Sequence, residues 1–160
     1  MTGRIVVGVD GSEGSRQALA WAVNEAAVRG AVVEAVNVWQ SPYDHPQDFD
    51  FSYPVDEKKL VERARVQLVE AIEQVAGEHG EVEVRSRVLR GDPAATLCAR
   101  AAKADMLVVG SRGHGTFSEL LLGSVSAKCA RHSTAPVVIV RTGRDELASG
   151  PGPPVEPPRT

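Results

Sequence analysis

The stretch RIVVGVD, residues 4–10, decides the fold class of this 160-residue chain. It is a continuous apolar run rich in valine, whereas a strand with one exposed face alternates apolar and polar residues. Continuous runs of this kind are typical of strands that are covered on both faces by helices. The stretch therefore predicts a central, buried strand of a parallel sheet.

Outward from this run, further strand patterns occur at 32–39, 81–88, 105–110 and 136–140. In EVEVRSRV, residues 81–88, the valines alternate with charged or polar residues, which predicts an edge strand with one buried face. Helical patterns separate the strands, so the element order is βαβαβαβαβ. This order implies a single doubly wound α/β domain, with a parallel sheet and helices on both of its faces.

Capping residues mark the ends of the helical segments. Ser12 is the expected N-cap of the first helix, and Gly30 is its expected stop. The longest helical pattern covers residues 57–79. Asp92 is the expected cap of the next helix, with Pro93 in its first turn.

Composition excludes several classes of protein. The net charge of -3 provides no basic face for nucleic acid, so no nucleic-acid partner is expected. The apolar runs fall short of the roughly 20 residues of a membrane-spanning helix, so no membrane partner is expected either. Because the N-terminus lacks the pattern of a secretory signal, we expect a cytoplasmic protein. Residues 1–142 are expected to form the domain, and 143–160 a flexible tail rich in Pro and Gly.

The only two cysteines, Cys98 and Cys129, lie far apart in the chain and have no metal-ligand spacing around them. The sequence therefore indicates neither a disulfide framework nor a zinc site. We expect both cysteines to be small, buried, apolar residues.

The glycine-rich stretch GSRGHGTFSELLLGSVS, residues 110–126, follows the fourth strand and ends where the next helix begins. Ligands of open α/β sheets bind at the carboxyl ends of the strands, and a helix N-terminus presents unpaired N–H groups to anions. Gly110 and Gly113 would let the main chain approach a sugar and phosphates closely. The alternative is that these glycines serve only a tight connection between strand and helix.

The spacing G-x2-G-x9-G-S, formed by Gly110, Gly113, Gly123 and Ser124, resembles the ATP-binding branch of the universal stress protein family. Similar segments, in the same order, are IVVGVDGSEGS at 5–15, RVLRGDPA at 87–94 and APVVIV at 135–140. The resemblance covers residues 4–141. It implies a five-stranded parallel sheet in the order 3-2-1-4-5.

The resemblance also implies an adenine-nucleotide site for ATP, with Mg²⁺ as a candidate bridge between the phosphates and no metal ligands from the protein. The implied binding residues are Gly8, Val9, Asp10 and Val38 around the adenine, Gly110 at the ribose, and Arg112, Gly113, Gly123, Ser124, Val125 and Ser126 at the phosphates, together with Ser111. Asp10 has an alternative interpretation as the cap of a turn or helix.

No catalytic residue is predicted. The sequence contains no Walker lysine motif and no GxGxxG after the first strand, and no Ser-His-Asp set can be assembled from it. The expected function is that of a nucleotide-dependent regulatory module of the stress response. The alternatives are a slow ATPase or autophosphorylating enzyme, and a sensor of AMP or cyclic AMP. The resemblance further implies a homodimer through the fifth strand, 137–140, together with regulatory protein partners that the sequence does not identify.

Overall fold

A computed structural model describes residues 2–48, 50, 52–77, 80–113 and 122–142 of the chain. The strands are β1 Arg4–Gly8, β2 Val32–Trp39, β3 Val84–Arg90, β4 Met106–Gly110 and β5 Val137–Val140. All of them are parallel, and they form one five-stranded sheet in the order β3-β2-β1-β4-β5. The predicted doubly wound fold and its strand order are confirmed. The predicted tail, 143–160, lies outside the described residues.

The helices are α1 Glu13–Arg29, α2 Glu57–Ala76, α3 Pro93–Ala101 and α4 Ser124–His132. The predicted caps are confirmed: the Ser12 side chain accepts from the Ser15 N–H, and Asp92 accepts from the Ala95 N–H. Gly30 ends α1 in the left-handed conformation, with φ 64°. Within the described ranges, no helix is long and apolar enough to cross a membrane.

The predicted boundaries of β3 and α2 are wrong. The edge strand predicted at 81–88 runs instead from Val84 to Arg90, because it continues in register with β2 up to the pair Trp39 and Arg90. The long helix predicted to reach residue 79 ends at Ala76. Both ends depend on pairing or on the local path of the backbone, which the apolar pattern does not encode.

Two apolar layers enclose the sheet, and β1 contributes to both of them. Ile5 and Val7 pack in the layer beneath α1 and α2, whereas Val6 packs in the layer beneath α3 and α4. None of the three side chains is exposed. The prediction of a central strand buried on both faces is therefore confirmed.

One carboxylate is buried in the α3 side of the sheet. Glu34 on β2 is only 2% exposed and pairs with two arginines. The Arg100 Nη2 atom donates to Glu34 Oε2 at 3.0 Å, and Arg4 Nη1 lies 3.5 Å from the same oxygen. Burial raises the pKa of Glu34, but the hydrogen bond from Arg100 and the charges of Arg100, Arg4 and Arg87 outweigh it and hold that pKa below its usual 4.5.

Replacing Arg100 with methionine is expected to destabilise the fold at pH 7, because it leaves the buried Glu34 carboxylate with Arg4 alone. The expected loss of unfolding free energy is roughly 2 kcal/mol, less than for a fully buried pair since Arg100 is partly exposed. The ionised carboxylate stabilises the folded chain above pH 4.5, and this contribution is lost as the pH falls through the lower folded-state pKa. The loss should therefore shrink on acidification, as measured by urea unfolding between pH 7 and pH 3.

The matched control is the double variant Glu34→Leu with Arg100→Met, which replaces the pair by apolar groups and should recover most of the stability at pH 7. A loss for Arg100→Met that stays constant down to pH 3 would show that the lost packing of Arg100, rather than the charge of Glu34, is responsible.

Candidate functional site

A cavity of about 680 Å³ opens at the carboxyl ends of β1 and β4. It lies on the α3 and α4 side of the sheet, where the crossover from β1 leads to β2 on one side and the crossover from β4 leads to β5 on the other. Ligands of doubly wound sheets bind at this switch point, and the volume is within the roughly 300–1,000 Å³ of small-molecule sites. The topology alone thus provides a ligand-sized cleft.

The inner part of the cavity is apolar. Val36 on β2, Leu97 on α3 and Val109 on β4 line it. Gly8 at the end of β1 has no side chain here, and a Cβ atom at this position would lie 2.9 Å from Leu97 Cδ1. We call this apolar part, which Val38 also lines, the slot; its lining suits an aromatic ring.

The opposite end of the cavity is formed by the N-terminus of α4. Gly123 occupies the N-cap position and provides no side-chain hydrogen bond to the helix, so it leaves the first-turn N–H groups available to a ligand. Ser124 and Val125 line the cavity at this turn. These N–H groups and the helix dipole favour an anion such as phosphate.

Backbone contacts hold this turn in place. The Gly123 N–H donates to the Ser111 carbonyl at 2.6 Å, and Ser126 Oγ lies 3.0 Å from the same oxygen. The Ser111 N–H in turn donates to the carbonyl of Val140, at the end of β5, at 2.8 Å. Ser111 therefore joins the end of β4 to both α4 and β5.

Asp10 lies in the loop after β1, which ends at Gly8 rather than at residue 10 as predicted. One of its carboxylate oxygens, Oδ1, accepts from the Ser12 N–H at 2.9 Å. The other, Oδ2, faces the main chain across the cleft, because a Cβ atom on Gly113 would lie 2.7 Å from it. Asp10 therefore caps a turn, as one interpretation from the sequence predicts, and it also lines the cavity, whereas its contact with a nucleotide stays a prediction.

The predicted site residues, with the exception of Ser111, line this single cavity; they are Gly8, Val9, Asp10, Val38, Gly110, Arg112, Gly113, Gly123, Ser124, Val125 and Ser126. Ser111 is only 4% exposed and contributes through its backbone. Residues 114–121 of the glycine-rich stretch, which include His114, lie outside the described residues.

Sequence reasoning missed the α3 wall and one glycine. Leu97 lines the cavity only because α3 packs across the sheet, and no local pattern indicates this contact. Gly14, in the first turn of α1, lies against the main chain that follows β4: a Cβ atom on Gly14 would collide with the Arg112 carbonyl. A Cβ atom on Gly110 would lie 2.8 Å from the Gly14 backbone. The signal that could have indicated this role is the second glycine of GSEGS.

Comparison with known sequences gives one family. A sequence profile of the universal stress protein family matches residues 1–141. A universal stress protein of Mycolicibacterium smegmatis is 37% identical over 139 residues, which cover 86% of this chain and 45% of the relative. One from Mycobacterium tuberculosis is 32% identical over 149 residues, covering 85% of this chain and 47% of that protein. The chain thus spans about half the length of these curated relatives.

Solved structures of the same family have the same fold. A universal stress protein crystallised in complex with cAMP is similar with a TM-score of 0.66 at 29% identity, over 88% of this chain and 98% of that one. The protein UspA from Lactobacillus plantarum has a TM-score of 0.67 at 22% identity, over 87% of this chain and 97% of that one. The second likeness concerns the fold alone.

The close approach of α1 to the end of β4 can be tested by a substitution that adds a single methyl group. Gly14→Ala is expected to lower the free energy of unfolding by roughly 1–3 kcal/mol, because the added Cβ collides with the Arg112 carbonyl. Gly77→Ala is the matched control, since its Cβ meets no atom within 4 Å and its backbone is right-handed helical. Urea unfolding measures both variants, and equal stabilities would contradict the proposed contact.

Proposed function

This chain belongs to the universal stress protein family, and we propose that it binds an adenine nucleotide, ATP in the first place, as a regulatory module of the stress response. The observation that carries the proposal is the chemical division of the one cavity. An apolar slot lies at one end, and a glycine-capped helix N-terminus lies at the other. A nucleotide has the same division, with a flat base at one end and phosphates at the other.

The orientation of the nucleotide follows from this division. The base would lie in the slot between Val38 and Leu97, and the phosphates would accept from the first-turn N–H groups of α4. Asp10, which the resemblance placed near the adenine, lies in the loop after β1 and would instead flank the ribose together with Gly110, the last residue of β4. A carboxylate is a suitable acceptor for ribose hydroxyls.

Mg²⁺ enters the proposal only as a bridge between phosphates. Among the described residues, no group of three or more His, Cys, Asp or Glu side chains could hold a metal ion. Mg²⁺ typically binds nucleotide sites through phosphates and water with one or two carboxylates, and of the described residues that line this cavity Asp10 carries a carboxylate. The protein would thus contribute little to the metal beyond the position of the phosphates.

A sensor of cyclic AMP or AMP is the second candidate function. The similar structure at 29% identity is a complex with cAMP, which favours a monophosphate in a site of this architecture. The slot would bind the same base in either case, so the two candidates differ in how many phosphates contact the turn at Ser124 and Val125. Competition between ATP, AMP and cAMP for the purified protein distinguishes them.

The regulatory role rests on the hydrogen bonds around Ser111. They connect the phosphate end of the cavity at Gly123 to Val140, the last residue of β5. We expect nucleotide binding to change the conformation of this edge of the sheet, where a partner protein can bind. Slow ATP hydrolysis or autophosphorylation remains the alternative, and saturable release of phosphate would favour it. Cytoplasmic residence remains a prediction.

A homodimer through β5 is part of the proposal. β5 is an edge strand, with β4 on one side only. The carbonyls of Pro136 and Val140 accept from β4, and hydrogen bonding alternates along a strand, so the backbone groups of Val137 and Ile139 point away from the sheet. An apolar edge with unpaired backbone groups is suited to pairing with a second copy.

Phosphate recognition is tested by Ser124→Asp. An acidic residue in the first turn of α4 interacts favourably with the positive end of the helix dipole, so the fold should be preserved. Its negative charge, however, repels a bound phosphate. The expected result is an ATP affinity at least about tenfold weaker, or about 1.4 kcal/mol, with the affinity for adenosine unchanged. Isothermal titration calorimetry measures both ligands.

Ser124→Ala is the matched control and should retain most of the ATP affinity, because the backbone N–H groups remain. Equal ATP affinities for wild type and Ser124→Asp would place the phosphates elsewhere. The absence of adenosine binding to any of these proteins would contradict the proposal as a whole.

The dimer is tested by Ile139→Pro, which removes an outward N–H group from the edge strand without removing a hydrogen bond to β4. We expect a dimer for the wild type and a monomer for the variant at micromolar concentration, as measured by sedimentation velocity. A monomeric wild type, or a dimer unaffected by the substitution, would contradict pairing through β5.

A further inference from the structure

The two cysteines, distant in the chain, are neighbours in the fold. Cys129 on α4 is fully buried in the apolar layer between the sheet and the helices. Cys98 on α3 packs against the same layer and is half-buried, so the expectation that both would be buried is wrong for Cys98. Both thiols are free and lie in the layer where α3 packs against α4, and Cys98 is close enough to raise the pKa of the Cys129 thiol.

This thiol pair lies directly behind the nucleotide cavity. Leu97, the residue before Cys98, lines the cavity from α3. Ser126 and Ala127, in the turn before Cys129, line it from α4. The two helices that carry the thiols are thus two walls of one cavity, although neither thiol lines it.

We propose that Cys98 and Cys129 form a redox-modification site, in which a peroxide converts the thiol pair to a reversible disulfide that joins α3 to α4 and weakens nucleotide binding. The disulfide is independent of the function proposed above, whereas its effect on binding rests on that function. Reversible disulfides in otherwise reducing compartments are typical of redox sensing.

The environments of the two thiols indicate which of them reacts first with peroxide. Burial, followed by the proximity of Cys98, raises the pKa of the Cys129 thiol to about 12, so Cys129 keeps its proton. Cys98 is the more exposed thiol and is therefore the first nucleophile. Its thiolate attacks one oxygen of hydrogen peroxide, the O–O bond breaks, and Cys98 sulfenic acid and hydroxide form.

The second step uses Cys129. Its sulfur attacks the sulfenic sulfur of Cys98, the S–O bond breaks, and the leaving hydroxide takes the Cys129 proton to become water. In total, two thiols and one hydrogen peroxide give one disulfide and two waters. A dithiol reductant reverses the change by thiol-disulfide exchange.

The consequence for the cavity follows from its walls. A covalent bond holds the sulfur atoms closer than two thiols in contact, so α3 and α4 approach each other beside Leu97 and Ala127. The slot between the helices narrows, and nucleotide binding weakens. By thermodynamic linkage, a bound nucleotide must oppose disulfide formation to the same extent.

The test treats the full chain with hydrogen peroxide and follows intact mass, thiol alkylation and ATP affinity. We expect a loss of two hydrogens, about 2 Da, with both thiols protected from alkylation, and full reversal by dithiothreitol. Titration calorimetry should then show weaker ATP binding to the oxidised protein by at least about threefold, and ATP should slow the oxidation.

Cys98→Ser is the matched variant, because it removes the reactive thiol at a half-buried position while leaving the cavity lining intact. It should bind ATP like the reduced wild type and keep that affinity after peroxide. In the Cys129→Ala variant, oxidation by peroxide should stop at the sulfenic or sulfinic acid of Cys98. This second variant identifies Cys98 as the first nucleophile even if Cys98→Ser folds poorly.

A disulfide between two chains would contradict the proposed disulfide between Cys98 and Cys129 of one chain. Oxidation of Cys98 beyond the sulfenic acid, with Cys129 still open to alkylation, would contradict it as well. If the intramolecular disulfide forms and the ATP affinity is unchanged, the proposal that the disulfide weakens nucleotide binding is contradicted. Failure of the reduced protein to bind ATP or adenosine would instead contradict the function proposed above, and the mass measurement would still decide whether the disulfide forms.

Discussion

Burial of β1 on both faces is the constraint on which the rest of the structure depends. Ile5, Val6 and Val7 have no exposed surface, and each such side chain contributes roughly 1.5–3 kcal/mol when it leaves water. Because successive side chains point to opposite faces, this burial requires helices on both sides of the sheet. The same strand lies between β2 and β4. The crossover from β1 leads to β2 and that from β4 leads to β5, so the two leave in opposite directions and open a cleft at the carboxyl ends of β1 and β4.

The two ends of this cleft differ in character because they are formed by different parts of the chain. Side chains of the buried strands and of α3 provide the apolar end, whereas main-chain groups at the start of α4 provide the polar end. The polar end needs close backbone packing, and Gly14 and Gly110 permit it by letting α1 lie against the end of β4. The loop after β4 is therefore positioned by a helix from the start of the chain.

The cavity, the sheet edge and the thiol pair are close together for one physical reason. α3 and α4 pack side by side over the same face of the sheet, so a wall of the cavity is also the layer that contains Cys129. The end of β4 is bonded through Ser111 to both α4 and the last residue of β5. The cavity, the sheet edge and the thiol pair are therefore connected by direct packing contacts and hydrogen bonds.

Local signals in the sequence determined most of the architecture. The apolar run at β1 and the caps at Ser12 and Asp92 depend on neighbours a few residues away, so they could be interpreted directly. The resemblance to the universal stress protein family, which rests on the glycine spacing and three further segments, implied the residues that surround one cavity. The glycine spacing alone could not exclude a simple tight turn, since the same residue types serve both purposes.

Only the tertiary structure decided contacts between distant segments. The end of β3 was mispredicted because its register with β2, rather than its own alternation, determines where pairing stops. Glu34 is a carboxylate within an apolar strand, and the partner that lets it stay buried, Arg100, comes from a helix that follows much later. Leu97 in the cavity wall and Cys98 beside Cys129 depend likewise on the packing of α3. The sequence by itself determined the elements and their order, whose signals are local, whereas partners were decided by long-range packing that leaves no periodic pattern in the chain.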